Sequence, residues 1–472
     1  MKFSIHPITT HYTDELSTYI KNISYDTIPA EVLDRAKKIT MQTIGVALAA
    51  DGVPMSARAI ELGKQFNGGV GGEATCWIDG SKMSMSNAAF VNGSLADMLD
   101  WEDCSWTGHP SAGVIPVAWA VSEGLHKSGQ ELLTAVVAGY EVYQRIAMAI
   151  QDLEGQEKGN GWGLTSWQIF AAIVPAAKLM GLTEEQINQA LGFGTACSTT
   201  NGSLHHTTMS DAYHYLHGFR ARDGIQLCQT ALSGVENYQD CFDDPKVYAI
   251  HMTPTPRPDW YTKDLGKWYL TMETLLKHWP ANMWNQTAME LAYDITEKNH
   301  IQPEDIQEIV LDPPTQLRMS IRSEGYTSLT QAQFSIPFCI AAMLYDRTPG
   351  AQWYSQENMK NPKVLELAQK VKAGPSPQHT LGGGFKLMQE GTYPMKHMKI
   401  TTKDGRAYEE SMDVHPGHPK AMFSWQEMCE RFRMQTAGVL TADQCQRAIK
   451  ALTELDSCEN IAMLSGLLHR TE

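Results

Sequence analysis

Residues 92–116 constrain this chain more than any other stretch. They read Asn92-Gly93-Ser94-Leu95-Ala96-Asp97-Met98-Leu99-Asp100-Trp101-Glu102-Asp103-Cys104, then Ser105-Trp106-Thr107-Gly108-His109-Pro110-Ser111-Ala112-Gly113-Val114-Ile115-Pro116. The small residues of 86–99 predict a helix that lies close to its neighbours. It runs into four acids, Asp97, Asp100, Glu102 and Asp103. A short polar loop follows, and His109 then stands directly before Pro110. Proline is favoured in a first helical turn, so a second apolar helix is expected to start here and reach about 125. His109 then sits at a helix N-terminus, where the dipole disfavours a charged imidazole and attracts anions. Two readings follow. The loop is one wall of an active site, with an acid/base pair and an anion seat, or it is a capped helix–loop–helix with a solvated acidic end.

The 472 residues call for two or three domains and a large core. A net charge of −15 leaves no basic stripe to neutralise phosphates, so nucleic acid is excluded as a partner. A small anionic substrate is compatible with it, because a pocket can be locally cationic. No apolar run is long enough to cross a bilayer, so no membrane is expected as a partner. The start of the chain lacks the apolar core of a signal peptide. Nine cysteines stand singly, with no CxxC pair, as in a reducing compartment. A cytoplasmic location is the expectation.

Along the chain, Thr27, Pro29 and Glu31 open a helix that continues to about 48. The glycine-rich 68–72 fits neither GxGxxG nor a Walker loop. Residues 76–78 read as a short extended piece. Helices are expected at 131–150 and 167–180, and another opens at Thr183-Glu184-Glu185. Prolines 254, 256 and 258 suit neither a helix interior nor a central strand, so 235–264 reads as an irregular connection. Beyond it the texture changes. Residues 306–311 read as a strand, and 395–402 with 408–414 around Asp404-Gly405 as a hairpin. Helical stretches fall near 281–297, 331–344 and 362–373. From 424 the chain is helical again to 468. The expected fold is mainly α: an all-helical domain built from both chain ends, 1–269 and 410–472, with a smaller α+β lid domain inserted at 270–409.

Three constellations carry candidate chemistry. The first is the opening loop, with Asp100, Glu102, Asp103 and His109. The second, 204–218, holds His205, His206, His214 and His217, with Asp211 three residues before His214. His214 and His217 are neighbours if the segment is helical. A metal-dependent hydrolase could be built on such a cluster, but no ligand motif such as HExxH is present, and histidines placed near a site for polarity or packing are the simpler account. The third is Lys277-His278-Trp279-Pro280, read as a cation before a proline-started helix. That is a natural carboxylate seat, or else an ordinary exposed lysine beside packed aromatics.

The sequence resembles the MmgE/PrpD family over nearly its whole length. The resemblance is carried by residues 28–36, Phe90-Val91-Asn92-Gly93, Asp100-Trp101-Glu102-Asp103, His109-Pro110-Ser111, residues 176–182, and Gln333-Phe334-Ser335-Ile336-Pro337-Phe338. It implies a helical domain with an α+β lid, a homodimer, and cofactor-independent chemistry on small di- or tricarboxylates. By the resemblance, Asp100 and His109 match the family's active-site Asp and His, and Lys277 its substrate-contacting Lys. Departures accompany the matches. Cys104 replaces a common Thr. The loop around Trp162 lacks a His. Tyr213 or His214 falls where a Lys is usual, and Phe338 where the decarboxylases carry a Tyr.

The leading expectation is a lyase that removes water from a hydroxylated polycarboxylate such as an alkylcitrate. That reaction needs a base beside a carboxylate, an acid for the leaving hydroxyl, and cations to hold carboxylates. The catalytic candidates are Asp100, His109, Lys277, His214 and His217. The substrate-binding candidates are Cys104, Ser111, Tyr213, His278 and Trp162, and no metal or cofactor is invoked. Epimerisation, isomerisation or decarboxylation on the same scaffold are the alternatives. A non-catalytic descendant that binds a carboxylate or a protein is another. Glu102 and Asp103 are expected only to shape the loop.

Overall fold

The computed structural model describes residues 8–151, 166–198, 208–244, 246–378, 380, 383–384, 386–387, 390 and 393–471. The fold is mainly α, with one small mixed sheet. Five long helices form the centre: Met85–Asp97, Pro110–Gly124, Gly129–Ile150, Ile169–Leu179 and Ala212–Leu232. Several helix starts follow from local chemistry. Ser128 with Glu131, Thr183 with Gln186, and Ser424 with Glu427 each form a reciprocal capping box. Pro110 opens its helix with His109 as N-cap, as the sequence predicts.

Small residues let these helices touch backbone to backbone. A Cβ on Gly93 would meet Ala112 O at 3.0 Å and Gly218 Cα at 3.2 Å, and one on Gly218 would meet Phe90 O at 2.3 Å. Glycine at these two positions therefore sets how closely Met85–Asp97 approaches Ala212–Leu232. The end of the chain returns in the same way. Trp425–Thr436 lies on Ala30–Ala49, where a Cβ on Gly45 would run into Gln435 and Phe432.

The second buried cluster gathers around the sheet. Strand order is Val371–Ala373, Ile306–Asp312, Lys396–Thr402, Ala407–Met412. The first pair is parallel, with Ile309 opposite Val371, and the other two are antiparallel. Ile309, Leu311, Met398 and Ile400 face helices Gln286–Lys298, Ile336–Tyr345 and Pro362–Ala368. Val46, Ala50, Val53, Met98, Leu99 and Trp101 join the same cluster and tie it to the helical part.

Four local expectations need correction. The helix at 362 stops at Ala368, and 371–373 is a strand held by its partner in the sheet. The segment near 331–344 is two helices, Leu329–Gln333 and Ile336–Tyr345, because Ser335 caps the second. The extended pair lies at Ala74–Thr75 and Lys82–Met83, on either side of the expected 76–78. Pro280 does not begin a helix: a 3-10 turn at Met283–Asn285 leads into Gln286–Lys298.

Candidate active site

The acidic loop is pinned before any side-chain chemistry begins. Asp103 and Cys104 pair antiparallel with Leu276 and Leu275. Next to this pair, Lys277 N–H donates to Glu102 O at 3.0 Å. Gln42 Nε2 donates to Trp101 O at 2.9 Å, and Trp101 Nε1 donates to His278 O at 2.8 Å. On the far side, Gln168 Nε2 donates to His109 O at 2.7 Å, while Tyr143 and Trp167 both donate to Thr107 O. Asp100 takes a left-handed backbone, φ 49°, which short polar side chains tolerate best among non-glycine residues. That turn sends Asp100 and Glu102 toward Lys277 together.

Lys277 is fully buried and binds both acids. Its ammonium donates to Asp100 Oδ1 and, at 2.8 Å, to Glu102 Oε1. His109 Nδ1 bonds the same Glu102 oxygen and lies 3.2 Å from Lys277 Nζ. Both neighbours of Glu102 Oε1 are therefore donors, which places a proton on His109 Nδ1 and leaves Nε2 as acceptor. The Tyr213 hydroxyl donates to that Nε2 at 3.1 Å.

A second layer surrounds Asp97, which ends the Met85–Asp97 helix. Its Oδ2 meets His214 Nδ1 at 2.7 Å, and its Oδ1 lies 3.3 Å from His217 Nε2 and 3.8 Å from His109 Nδ1. The His217 contact is close but poorly aligned, and neither of its ring nitrogens makes a hydrogen bond among the described residues. His214 and His217 are buried on one face of Ala212–Leu232, three apart, which the Gly93–Gly218 contact brings against Asp97.

Burial sets most of the protonation here. It lowers His109 to about 3, with Lys277 adding to the effect and Asp100 opposing it, so the imidazole is neutral. His217 is pushed well down by burial and by His109 and His214, and His214 is also lowered by burial. Burial raises Asp97 well above the carboxylate range, and Glu102 and Asp100 add to that. Glu102 is raised by burial against the pull of Lys277. Burial works against the charge on Lys277, but Asp100 and Glu102 outweigh it and raise its pKa, so it stays an ammonium. Burial, then Asp97, hold Tyr213 well above 10, so it stays a phenol.

The remaining candidates divide. Ser111 is buried and its N–H donates to Asp103 Oδ1 at 3.1 Å, while Tyr140 donates to the other Asp103 oxygen. Asp103 thus orients the start of the His109 helix. Cys104 is buried with its Sγ 2.9 Å from Met283 Sδ, and burial raises its thiol. His278 does not join the group. Its Nδ1 bonds Glu290 Oε2 at 2.8 Å and its ring lies against Trp279, because the chain turns the side chains of 277 and 278 in different directions. Trp162, His205 and His206 lie outside the described residues. Phe338 is packed in the second buried cluster, its ring 5.0 Å from Tyr326.

The structure adds members that sequence reasoning passed over. Glu102, expected only to shape the loop, bonds both His109 and Lys277. Asp97 collects the three histidines. Arg318 Nε donates to Asn282 Oδ1 at 3.2 Å, and Asn282 Nδ2 donates to Asp100 Oδ2 at 3.3 Å. Arg318 is lowered by burial to about 10, and its guanidinium covers the Phe334 ring. A proline-led polar run such as Pro280-Ala281-Asn282 was the one signal available for Asn282. Among the described residues, Asp97, Glu102 and His109 present donor atoms within 4.8 Å of one another, a spacing a metal ion could use. Lys277 already supplies a positive charge 2.8 Å from Glu102 and 3.2 Å from His109, so a metal ion there would meet strong repulsion. Also among the described residues, no helix is long and apolar enough to cross a membrane.

A buried, charge-compensated acid/base cluster in a helical fold with a small α+β unit defines a class that comparison with known proteins identifies. The chain matches the MmgE/PrpD N-terminal domain over residues 14–260 and the MmgE/PrpD C-terminal domain over 279–457. It belongs to the MmgE/PrpD family. Among its relatives are the cis-aconitate decarboxylases of Mus musculus, Homo sapiens and Aspergillus terreus. They are 22%, 23% and 22% identical over 471, 473 and 486 residues. Each alignment covers 97% of this chain and, in the same order, 93%, 94% and 96% of the relative.

Proposed function

We propose that the chain is a lyase that moves a proton at a carbon next to a carboxylate of a small di- or tricarboxylate, without a cofactor. The observation that carries this reading is that His109, beside a buried lysine, is held through both ring nitrogens. Glu102 fixes and buffers Nδ1, and Tyr213 marks Nε2 as the working face. When Tyr213 turns its hydroxyl to a substrate, His109 Nε2 is free to take a proton, and Glu102 stabilises the imidazolium that forms. Lys277 and the N-terminus of Pro110–Gly124 supply positive potential for charge that develops on the substrate. Asp100 holds Lys277, and Arg318 with Asn282 extends the cationic side from the lid.

Decarboxylation of an unsaturated tricarboxylate such as cis-aconitate stands first, because three relatives matched along the whole chain are named for it. Tyr213 offers the phenolic proton donor that Phe338 lacks. Dehydration of a hydroxylated polycarboxylate is the second reading. It is favoured by the Asp97 carboxyl, whose burial lets it hold a proton for a leaving hydroxyl.

The test is incubation in D2O with cis-aconitate and, separately, with citrate and 2-methylcitrate, followed by NMR. Loss of carbon dioxide with one solvent deuteron in the product supports decarboxylation. Loss of the hydroxyl supports dehydration. Tight binding of these acids without turnover refutes the lyase reading and favours a carboxylate-binding descendant.

A further inference from the structure

We propose that Asp97, His214, Thr330 and Asp211 form a proton-transfer chain that links the buried His109 to the half-exposed edge of the lid. It rests on the reading of His109 as the group that gains and loses a proton in turnover. His109, Asp97 and His214 are all essentially closed to water, so a proton that reaches His109 needs a way out. Every link beyond Asp97 is within hydrogen-bond distance. Asp97 Oδ2 is 2.7 Å from His214 Nδ1. His214 Nε2 is 3.1 Å from Thr330 Oγ1. The Thr330 hydroxyl donates to Asp211 Oδ1 at 3.1 Å, and Asp211 is partly open to solvent. Ser328 Oγ and Thr330 N–H also donate to Asp211, at 2.7 and 3.0 Å, and hold it in place.

The hydrogen positions follow from counting. Thr330 has one hydroxyl proton and gives it to Asp211, so its oxygen accepts from His214 Nε2–H. A neutral His214 then has no proton on Nδ1 and accepts one from the Asp97 carboxyl. Burial, joined by Glu102 and Asp100, does favour a protonated Asp97, and burial favours a neutral His214. One shift along the chain balances. The Asp97 proton moves to His214 Nδ1, the Nε2 proton to Thr330 Oγ1, and the Thr330 proton to Asp211 Oδ1. Asp97 ends ionised, His214 ends as the other neutral tautomer, and Asp211 ends protonated at the surface. The reverse shift delivers a proton inward. At the inner end Asp97 Oδ1 stands 3.8 Å from His109 Nδ1. An approach of about 1 Å closes that gap to hydrogen-bond range. Thr330 belongs to the lid's Leu329–Gln333 helix, whereas Asp97 and His214 belong to the helical part. The chain is therefore complete only when the two parts are together. These residues act through His109 and are positioning and relay residues.

The test needs no substrate, so its failure is separate from a failure of the lyase reading, which shows as absence of turnover. The whole protein is labelled with 15N-histidine, and the His214 ring signal is assigned by its loss in His214→Gln. The expected result is an Nε2–H tautomer whose ring proton exchanges with water readily despite full burial. Thr330→Val and Asp211→Asn should each slow that exchange by about tenfold or more, and Thr330→Ser should restore it. Backbone-amide protection of Ala212–Leu232, measured in the same samples, should be unchanged, which separates loss of the chain from loosening of the fold. An exchange rate that Thr330→Val and Asp211→Asn leave unaltered overturns the proposal, and so does a His214 ring proton on Nδ1.

Discussion

Replacing Lys277 by methionine removes the one positive charge that, among the described residues, directly contacts Asp100 and Glu102, while keeping most of the side chain's volume. All three residues are fully buried. At an effective dielectric near 20, a unit pair at 2.8 Å attracts by roughly 6 kcal/mol before desolvation is counted. Most of that is offset by the cost of taking the groups out of water. What remains when one partner of a buried pair is deleted is typically about 3–5 kcal/mol, because a charge stays behind without a counter-ion. Lys277→Met should therefore lower unfolding stability by about 3–5 kcal/mol, read as a shift of the urea midpoint at constant slope. Adding Asp100→Asn removes one orphaned charge, so the double variant should be more stable than Lys277→Met alone. In Lys277→Met Glu102 loses the counter-ion that opposes its burial, so its folded pKa rises further above the unfolded one. The deficit should then be small near pH 4 and grow as the pH rises. A loss under about 1 kcal/mol at pH 7, or a double variant no more stable than Lys277→Met, refutes the view that Lys277 compensates the charge of these acids.

Three further outcomes follow from the same geometry. His109→Ala should cut turnover by about 100-fold or more with an unchanged circular-dichroism spectrum; a variant as fast as the parent removes His109 from the chemistry. Asp103, raised by burial to about 6 against the bonds from Tyr140 and Ser111, binds a proton in the folded state that the unfolded chain has lost. Its contribution is full below the unfolded value near 4 and is lost as the pH rises through about 6. Asp103→Asn should flatten the stability profile across that window, and an unchanged slope in thermal-melt series contradicts the assignment. Prolonged treatment with a chelator should leave activity intact, since Lys277 occupies the cation position; activity lost to chelation and regained with a divalent metal would reverse that reading.

The helical architecture was legible because its signals are local. Capping residues, the His109-Pro110 start and small-residue runs each act within one turn. The strand at 371–373 was not legible, because Val371–Ala373 continues a helical pattern and becomes a strand only through its parallel partner, Ile306–Asp312. In the site, Asp100, His109 and Lys277 were readable as types of residue in a suggestive order. Which of the four acids would bond His109 and Lys277 was not. Glu102 reaches both His109 and Lys277 because Asp100 takes a left-handed turn and because a two-residue strand pair fixes the loop against 275–276. Asp97 was hidden for a similar reason. Its importance comes from the close contact at Gly93 and Gly218, which joins two helices far apart in sequence. His278 went the other way: adjacent to Lys277, it reads as a substrate-binding residue, but its Nδ1 is committed to Glu290.

Asp100 and Lys277 are 177 residues apart. At about 5–20 residues per second, roughly 10–35 s of synthesis separate the acids from their counter-charge. During that interval the loop of Asp97, Asp100 and Glu102 has no lysine to close on, and its carboxylates stay in water. The site can therefore assemble only after residue 277 has been made. A chain cut short before Lys277 carries every acid and His109 yet has no charge-compensated centre.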